Sequence, residues 1–344
     1  MGLDMSKLPG NSWRASNVSR CGLGLLLSFL IFIAGTSRAY GSVAFLVEEP
    51  YGFFGSLTPT GHSAIYLNHV CAESPTLLRR CQPGETGVVI SRYYRIRKLD
   101  WVAIPLLPYL YAVEQAQDVP ERADKATVEK MRNEYAEANL ASLVSATKGY
   151  DKKNVWPQLL GVAYIRKIYS FEVATTDEQD DRLIDEYNGR ENLSHFNLFT
   201  NNCADFTRKL LNFYYPHAVG RSITADVAIT TPKQVAKSLS AYAHRHDELE
   251  LSEIIIPQVP GNISRSHTPR GVVEALLKTK KYAIPIAVLN PYVLAGIAVT
   301  YLTNGRFELE KNALVVPVME QEQMLLGGRV SVPGKTLEAS AQAQ

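Results

Sequence analysis

The sequence lacks the excess of charge of one sign that marks many nucleic-acid-binding proteins. Its 36 Lys and Arg residues nearly balance its 34 Asp and Glu residues, which gives a net charge of +2. We therefore expect no nucleic-acid partner. Low-complexity segments and solenoid repeats are also missing. With 344 residues, of which 46% are hydrophobic, the chain has ordinary globular composition and enough length for one large domain with an appendage.

Motifs that hold metals or common cofactors are missing too. The sequence contains no CxxC pair and no HExxH, and it has no Walker, dinucleotide-binding or GxSxG pattern. The acidic stretch DEQDD at 177–181 lacks the central Gly and the terminal Glu of a calcium loop, so it is interpreted as the solvated start of a helix. We expect neither a metal nor a cofactor.

Residues 1–39 are typical of a secretory signal peptide. Arg14 and Arg20 form a basic region, and the apolar run LGLLLSFLIFIA follows from Leu23 to Ala34. Small residues precede a cleavage site after Ala39. The apolar run is short for a membrane span, which favours cleavage over anchoring. We expect an exported mature chain in the periplasm or cell envelope.

Cysteine is scarce, and only Cys71, Cys81 and Cys203 remain in the expected mature chain. Thiols tend to pair in an oxidising compartment. Cys71 and Cys81 bracket a polar loop between two strand-like runs, and their spacing allows a disulfide. Such a pair leaves Cys203 as an odd thiol, which is either a reactive group or a buried, inert apolar residue.

Residues 40–245 are expected to form one domain with an insertion at about 115–150. Runs rich in β-branched and aromatic residues predict strands that begin at Gly41 and that cover 62–70, 86–96 and 161–175. Apolar residues at helical spacing predict helices at 123–147, at 175–188 and from Cys203 to Pro216. The apolar run 100–113 is expected to be extended because it contains Pro105 and Pro108.

The C-terminal part has a different character. Residues 246–281 are polar with prolines and glycines and are predicted to be a linker, and residues 303–344 are predicted to form a tail. The run 282–302 carries no charge over 21 residues, which suits a transmembrane helix kinked near Pro291. Lysines before this run oppose the positive-inside tendency. The alternative is an apolar helical hairpin packed on the domain.

The stretch TNNCADFTRKLL places Cys203 where a helix begins. A helix N-terminus and a nearby imidazolium both lower the pKa of a thiol and favour the nucleophilic thiolate. His62, in the stretch GHSAIYL, is the best-placed histidine, because a strand would hold it rigidly among small neighbours. A histidine on a strand is more often structural, so the pattern alone leaves both interpretations open.

A strand that opens with GHSAIYL, a following strand and a later NC turn into a helix resemble the circularly permuted branch of the NlpC-type papain-like superfamily. This branch includes lecithin:retinol acyltransferase-like proteins, and FNLFTNNCADFTRKLL resembles the corresponding block of Lnb-type N-terminal periplasmic domains. The resemblance covers about residues 41–216. It implies that Cys203 is the nucleophile and His62 the base, with backbone N–H groups at the helix start facing the oxyanion.

The third polar residue of this superfamily lies on the strand after the histidine strand. Ser91 stands there in this sequence, with Arg92 and Tyr93 beside it, where relatives often carry His, Asn or Gln. His69 is an alternative orienting residue, although it belongs to the histidine strand itself. Asn202 is expected either to cap the cysteine helix or to point its amide into the site.

The resemblance implies an α+β fold in which a papain-like antiparallel sheet packs on the cysteine-bearing helix, with a helical insertion and an apolar C-terminal helical segment. The implied activity is that of an exported thiol hydrolase or acyltransferase acting on an amide or ester. Cell-wall peptides and lipid acyl groups are the implied substrates, and a membrane is an expected partner. The alternative is a non-catalytic envelope protein that keeps the fold as a binding or scaffold module.

Overall fold

A computed structural model describes residues 41–52, 55, 59–93, 96, 99–144, 157–194, 196–311 and 313–316. The predicted signal peptide and most of the predicted tail lie outside these residues. In chain order the strands are β1 (Gly41–Glu48), β2 (His62–Leu67), β3 (Val70–Ser74), β4 (Leu77–Arg80), β5 (Val88–Ser91), β6 (Val102–Pro105), β7 (Ile168–Thr175), β8 (Ser252–Ile256) and β9 (Leu314–Val315). The α-helices are α1 (Leu106–Tyr111), α2 (Lys125–Asn139), α3 (Ala141–Val144), α4 (Asp177–Gly189), α5 (Cys203–Tyr214), α6 (Pro232–Ala243), α7 (Val272–Lys278), α8 (Lys280–Leu289) and α9 (Pro291–Thr300).

A large sheet runs through the described part of the chain, in the strand order β6-β5-β2-β1-β7-β8-β9. Its neighbouring strands are antiparallel except for the short parallel pair of β8 and β9. The predicted α+β class is confirmed at this level. The sheet differs from the expectation by its one parallel pair, which a two-residue strand near the C-terminus contributes.

Both faces of the sheet are covered, which explains why all eight residues of β1 are buried. Successive side chains of a strand point to opposite faces. Val43 and Phe45 therefore pack in one apolar cluster with α5 and α6, whereas Ala44 and Leu46 pack in a second cluster with α1 and the inserted segment. The cysteine-bearing helix is thus held on one face and the insertion on the other.

The apolar run 100–113 contains strand β6 followed by helix α1, so the prediction that all of it is extended was wrong. Pro105 is the residue before α1, and Pro108 lies in its first turn. The N–H groups of a first turn have no intrahelical partner, so a proline there removes no helical hydrogen bond. The two prolines therefore permit a helix that begins at Leu106.

The range 246–281 contains regular structure, which corrects the predicted linker. Strand β8 pairs with β7 from Ile168↔Ile256 to Glu172↔Ser252 and so extends the main sheet. Helix α7 buries Val273 and Ala275. The sequence SEIII is short and lies among polar residues and prolines, so its apolar run alone did not reveal a strand whose partner is about 80 residues away.

The run 282–302 forms two short helices, α8 and α9, which matches the alternative of an apolar helical hairpin rather than the single transmembrane helix. Neither helix has a buried residue, so the hairpin is not enclosed by the domain. No helix in the described ranges is long and apolar enough to cross a membrane. Asn290 has extended backbone, and its side-chain oxygen accepts hydrogen bonds from the N–H groups of Tyr292 and Val293. Asn290 therefore ends one helix and caps the next, with Pro291 at the first helical position.

The segment between Cys71 and Cys81 is a β-hairpin of β3 and β4 and not the polar loop that the sequence predicted. The predicted disulfide is confirmed, with a Cα–Cα distance of 4.8 Å between Cys71 and Cys81. Cys203 is the free cysteine of the described residues. The disulfide closes the hairpin at its open end, where β3 begins and β4 has just ended.

Replacing both Cys71 and Cys81 by Ser should lower the free energy of unfolding by about 2–3 kcal/mol, because a closed loop of this length restricts the unfolded chain. Chemical denaturation without reductant measures this difference. Cys203→Ser serves as the control that leaves the hairpin closed. Equal stabilities of the parent and the double variant would show that the bridge contributes nothing.

Candidate active site

Helix α5 begins at Cys203 because Asn202 and Asp205 cap its first turn. The side chain of Asn202 accepts a hydrogen bond from the Asp205 N–H at 2.9 Å, and the Asp205 carboxylate accepts one from the Asn202 N–H. This reciprocal capping box satisfies two backbone donors. The Asn202 amide nitrogen donates to the carbonyl oxygens of Leu198 and Thr230. Asn202 is therefore a helix cap, and its amide does not point into the site.

Asp205 anchors the same helix start to the loop that follows α5. Its carboxylate is buried and accepts hydrogen bonds from Arg221 and from the Thr230 hydroxyl, both at 2.6 Å. A buried carboxylate is stable only when charge and hydrogen bonds compensate its lost hydration. Asp205 therefore fixes the position of the loop 215–231 beside the first turn of α5.

Asn201 has a separate role, which explains the second asparagine of the NNC motif. The buried guanidinium of Arg92 donates to the Asn201 side-chain oxygen and pairs with Asp100. The same guanidinium lies 5.2 Å from the ring centre of Phe206 in the first turns of α5. Arg92 thus joins the end of β5 to the residues immediately before Cys203.

Cys203 and His62 meet where the first turn of α5 packs on the start of β2. Ser63 Oγ lies 3.2 Å from Thr207 Oγ1, one turn along α5, and this contact holds the helix against the strand. Cys203 and His62 lie close enough for their charges and a hydrogen bond between them to shift the pKa of each. The structure therefore brings together the two residues that the sequence singled out.

Ser91 orients the imidazole. Its hydroxyl donates to the Ser63 carbonyl oxygen at 2.7 Å, so its oxygen is left to accept a hydrogen bond from His62 Nε2 at 2.9 Å. This network assigns the proton of the neutral ring to Nε2. His69, the alternative orienting residue, lies elsewhere, with Nδ1 3.7 Å from a carboxylate oxygen of Asp177.

Two neighbours of His62 were not identified as partners from the sequence. Tyr93 stacks on the imidazole with ring centres 5.1 Å apart and planes inclined by 22°. Glu48 pairs with His62 across β1 and β2 and is fully buried. Arg166 Nη1 lies 2.5 Å from the Glu48 carboxylate, and the Tyr109 hydroxyl donates to it. In the sequence, the pair Glu48 and Glu49 at the end of an apolar strand could have indicated this buried carboxylate.

The charges at the site favour an ion pair between sulfur and imidazole. Burial raises the pKa of the Cys203 thiol, but the charge of His62 and hydrogen bonds from His62 and Ser63 outweigh it and bring the pKa below its usual value. Burial likewise lowers the pKa of His62, whereas the negative charges of Cys203 and Glu48 raise it, with a net increase. Opposite shifts of this kind stabilise a thiolate beside an imidazolium.

Two groups of potential metal ligands occur in the described part of the chain, and neither has the features of a metal site. Cys71 and Cys81 lie near Glu85, but their sulfurs form the disulfide. The other group is His69, Asp177 and Asp180. Its carboxylates already face the guanidinium of Arg80, at 3.3 Å and 3.5 Å. This second group is therefore part of an ion-pair network.

No protein-family model matches the chain, and no curated protein matches it. Among solved structures, the crystal structure of the Type VI secretion system effector TseH is similar with a TM-score of 0.32 and 11% sequence identity. The likeness covers 64% of this chain and 95% of TseH. A likeness at this level carries no argument about family or activity, so the resemblance of the GHSAIYL and NC blocks stays a sequence-based expectation.

Alkylation of Cys203 by iodoacetamide should show its half-maximal rate at a pH below the ordinary thiol pKa of about 8.5, because His62 and Ser63 stabilise the thiolate. His62→Ala removes a positive charge and a hydrogen bond, so burial then raises the thiol pKa. The rate at neutral pH should fall about tenfold or more. Mass spectrometry of the Cys203 peptide measures the rate, and His69→Ala is the matched control. An unchanged profile in His62→Ala would contradict the pairing.

Proposed function

We propose that this protein is a thiol hydrolase or acyltransferase that cleaves an amide or ester bond through Cys203 and His62. The observation that carries the proposal is the polarised pair at the start of α5. A thiol with a lowered pKa stands at a helix N-terminus and is hydrogen-bonded to a histidine whose other ring nitrogen is held by Ser91. Nucleophile, base and orienting group are the three parts that covalent acyl transfer needs.

In the first step the Cys203 thiolate attacks the carbonyl carbon of the substrate and forms a carbon–sulfur bond. The electron pair of the carbonyl double bond moves to the oxygen, which becomes an oxyanion. The N–H groups of Cys203 and Ala204 belong to the first turn of α5, where the capping box uses the N–H groups of Asn202 and Asp205. These first-turn donors and the helix dipole stabilise the oxyanion.

The tetrahedral intermediate then collapses, and the carbon–nitrogen or carbon–oxygen bond breaks. His62 Nδ1 donates its proton to the leaving amine or alkoxide, and the acyl group remains on Cys203 as a thioester. Water or another nucleophile attacks this thioester while His62 accepts its proton, and the carbon–sulfur bond breaks. Water gives hydrolysis, and an amine or hydroxyl of a second substrate gives acyl transfer.

Lipid acyl groups are favoured over cell-wall peptides as the substrate class. Leu198 and Phe199 are 51% and 60% exposed on the loop that leads into Cys203. Ile223 and Val227 are 78% and 59% exposed on the loop after α5. Both loops converge on Asn202, which donates to Leu198 and to Thr230. Apolar side chains on both sides of the helix start suit an acyl chain better than a polar peptide.

An extracytoplasmic location is part of the proposal. The pattern of residues 1–39 supports it, and so does the disulfide between Cys71 and Cys81. Disulfides persist in oxidising compartments and are rare in the cytosol. Two features favoured the non-catalytic alternative, namely the missing His, Asn or Gln at the third position and the apolar C-terminal segment. The contact of Ser91 with His62 Nε2 weakens the first argument, because a serine hydroxyl can accept the same hydrogen bond.

Hydrolysis of phospholipid vesicles and of short-chain p-nitrophenyl esters should be lost in Cys203→Ala, by at least about a thousandfold, because the nucleophile is gone. Intact-mass spectrometry should detect an acyl group on Cys203 of the parent protein after a rapid quench. His69→Ala, a histidine outside the site, should keep full activity. Absence of turnover and of an acyl adduct, on these substrates and on purified cell-wall peptides, would favour the binding or scaffold role.

Ser91→Ala should lower kcat by roughly tenfold or more with little effect on KM, because the imidazole loses the acceptor that fixes its tautomer. Ser91→Thr keeps the hydroxyl and should restore much of the rate. The variant should retain the parent melting temperature. A lower kcat across the pH range then reports lost orientation of the imidazole rather than unfolding. A Ser91→Ala enzyme with parental kcat would show that Ser91 does not position His62.

A further inference from the structure

Helices α8 and α9 form a hairpin, defined here by residues 280–300 and called the apolar hairpin. Each helix has ten residues, and Asn290 separates them. Lys278, just before α8, donates from Nζ to the hydroxyl of Tyr301, just after α9, at 2.7 Å. The two ends of the hairpin therefore meet, and the turn around Asn290 is its far tip.

The rest of the described chain covers the side chains of the apolar hairpin only in part. None of the residues of α8 and α9 is buried. The most exposed large apolar side chains are concentrated at the tip, where Val288, Leu289 and Tyr292 are 78%, 84% and 86% exposed. An exposed apolar surface of this kind on a protein marks a place where a partner or a lipid surface binds.

The backbone N–H groups at the tip have partners within the chain. The Asn290 N–H donates to the Ile286 carbonyl oxygen at 2.8 Å, and Pro291 has no N–H. The N–H groups of Tyr292 and Val293 both donate to the Asn290 side-chain oxygen. An unpaired backbone group in hydrocarbon costs several kcal/mol, and these contacts remove that cost for the N–H groups of the tip.

The base of the apolar hairpin carries positive charge. Lys280 and Lys281 are exposed at the start of α8, on the side away from the tip. Lysines at such a position match the phosphates of anionic lipids. Ten helical residues measure about 15 Å, which is half of a hydrocarbon core of about 30 Å. The hairpin is therefore long enough for one leaflet and too short for a bilayer.

We propose that the apolar hairpin inserts into one leaflet of an anionic membrane, with Leu289 and Tyr292 among the acyl chains and the lysines at the phosphates. The chain would enter and leave the bilayer on the same side. Glu274 of α7 bonds both Lys233 of α6 and Lys278, each at 2.7 Å, so the base of the hairpin is fixed to the domain. Insertion therefore sets the orientation of the domain on the membrane, and it requires no chemistry at Cys203.

Leu289→Trp in the full chain tests insertion locally. Vesicles of phosphatidylglycerol and phosphatidylcholine with brominated acyl chains should quench the added tryptophan emission, measured as the difference from the parent protein. Leu77→Trp is the matched control, because Leu77 is also exposed but lies on β4. The N-terminal segment is identical in the parent and in both variants. Any membrane binding through that segment is therefore the same in all three proteins and does not affect the comparison. An added emission that bromine does not quench in Leu289→Trp would overturn the proposal.

Charge at the tip or loss of charge at the base should each weaken binding. Leu289→Glu should lower the vesicle partition coefficient about tenfold or more, relative to Leu77→Glu. Lys280→Gln and Lys281→Gln should each cost about fivefold on anionic vesicles at low salt and little on neutral ones. Melting temperature and Cys203 alkylation verify that the variants fold. Self-association that Leu289→Glu abolishes, without any lipid quenching, would assign the surface to a second copy and refute membrane insertion.

Discussion

The contact between the first residue of β2 and the first residue of α5 is the constraint on which the rest of this structure depends. It brings the sulfur of Cys203 and the ring of His62 together at a buried position. Burial there disfavours both the thiolate and the imidazolium. Neighbouring groups must therefore compensate. Ser63 donates to the sulfur, and Ser91 accepts from the ring. The opposite shifts of the two pKa values follow from these contacts.

Two ion pairs, each with a buried carboxylate, support this contact from outside. Glu48, on the strand next to His62, is paired with Arg166, and Asp205, in the first turn of α5, is paired with Arg221. Removing one member of a buried pair leaves a charge without compensation, which is more costly than losing the attraction itself. The strand end and the helix start are thus each tied to residues that are distant in sequence. This makes the position of the pair a property of the whole sheet and both of its covering layers.

Local patterns predicted one part of this arrangement, because the amphipathic run after NNC predicted the start of α5. Ser91 was selected by the resemblance, which implies a third polar residue on the strand after the histidine strand, and its hydroxyl contacts His62. Ser63 and the pair of Glu48 with Arg166 were missed because their roles arise only after folding. Glu48 and Arg166 are separated by more than a hundred residues, and no local pattern connects them. Their partnership depends on the pairing of β1 with β7.

The two errors in the C-terminal part have a common cause. Strand β8 was interpreted as a linker because its flanks are polar, and α8 with α9 was interpreted as one span because its composition is apolar. Composition is an average over a segment, whereas secondary structure responds to single residues. One asparagine at position 290, which accepts two backbone hydrogen bonds, divides the apolar run into two helices. Three consecutive isoleucines, at 254–256, form most of a strand that pairs with β7.

The order of the cysteines along the chain has a consequence for oxidative folding. Cys71 and Cys81 are ten residues apart and belong to one hairpin, whereas Cys203 lies far beyond them. A chain that enters an oxidising compartment from its N-terminus presents the first two thiols together, and a short loop closes quickly. The hairpin pair can then be oxidised before the third thiol arrives. This order protects the free thiol of Cys203 from mispairing, because Cys203 is the last of the three cysteines to be delivered.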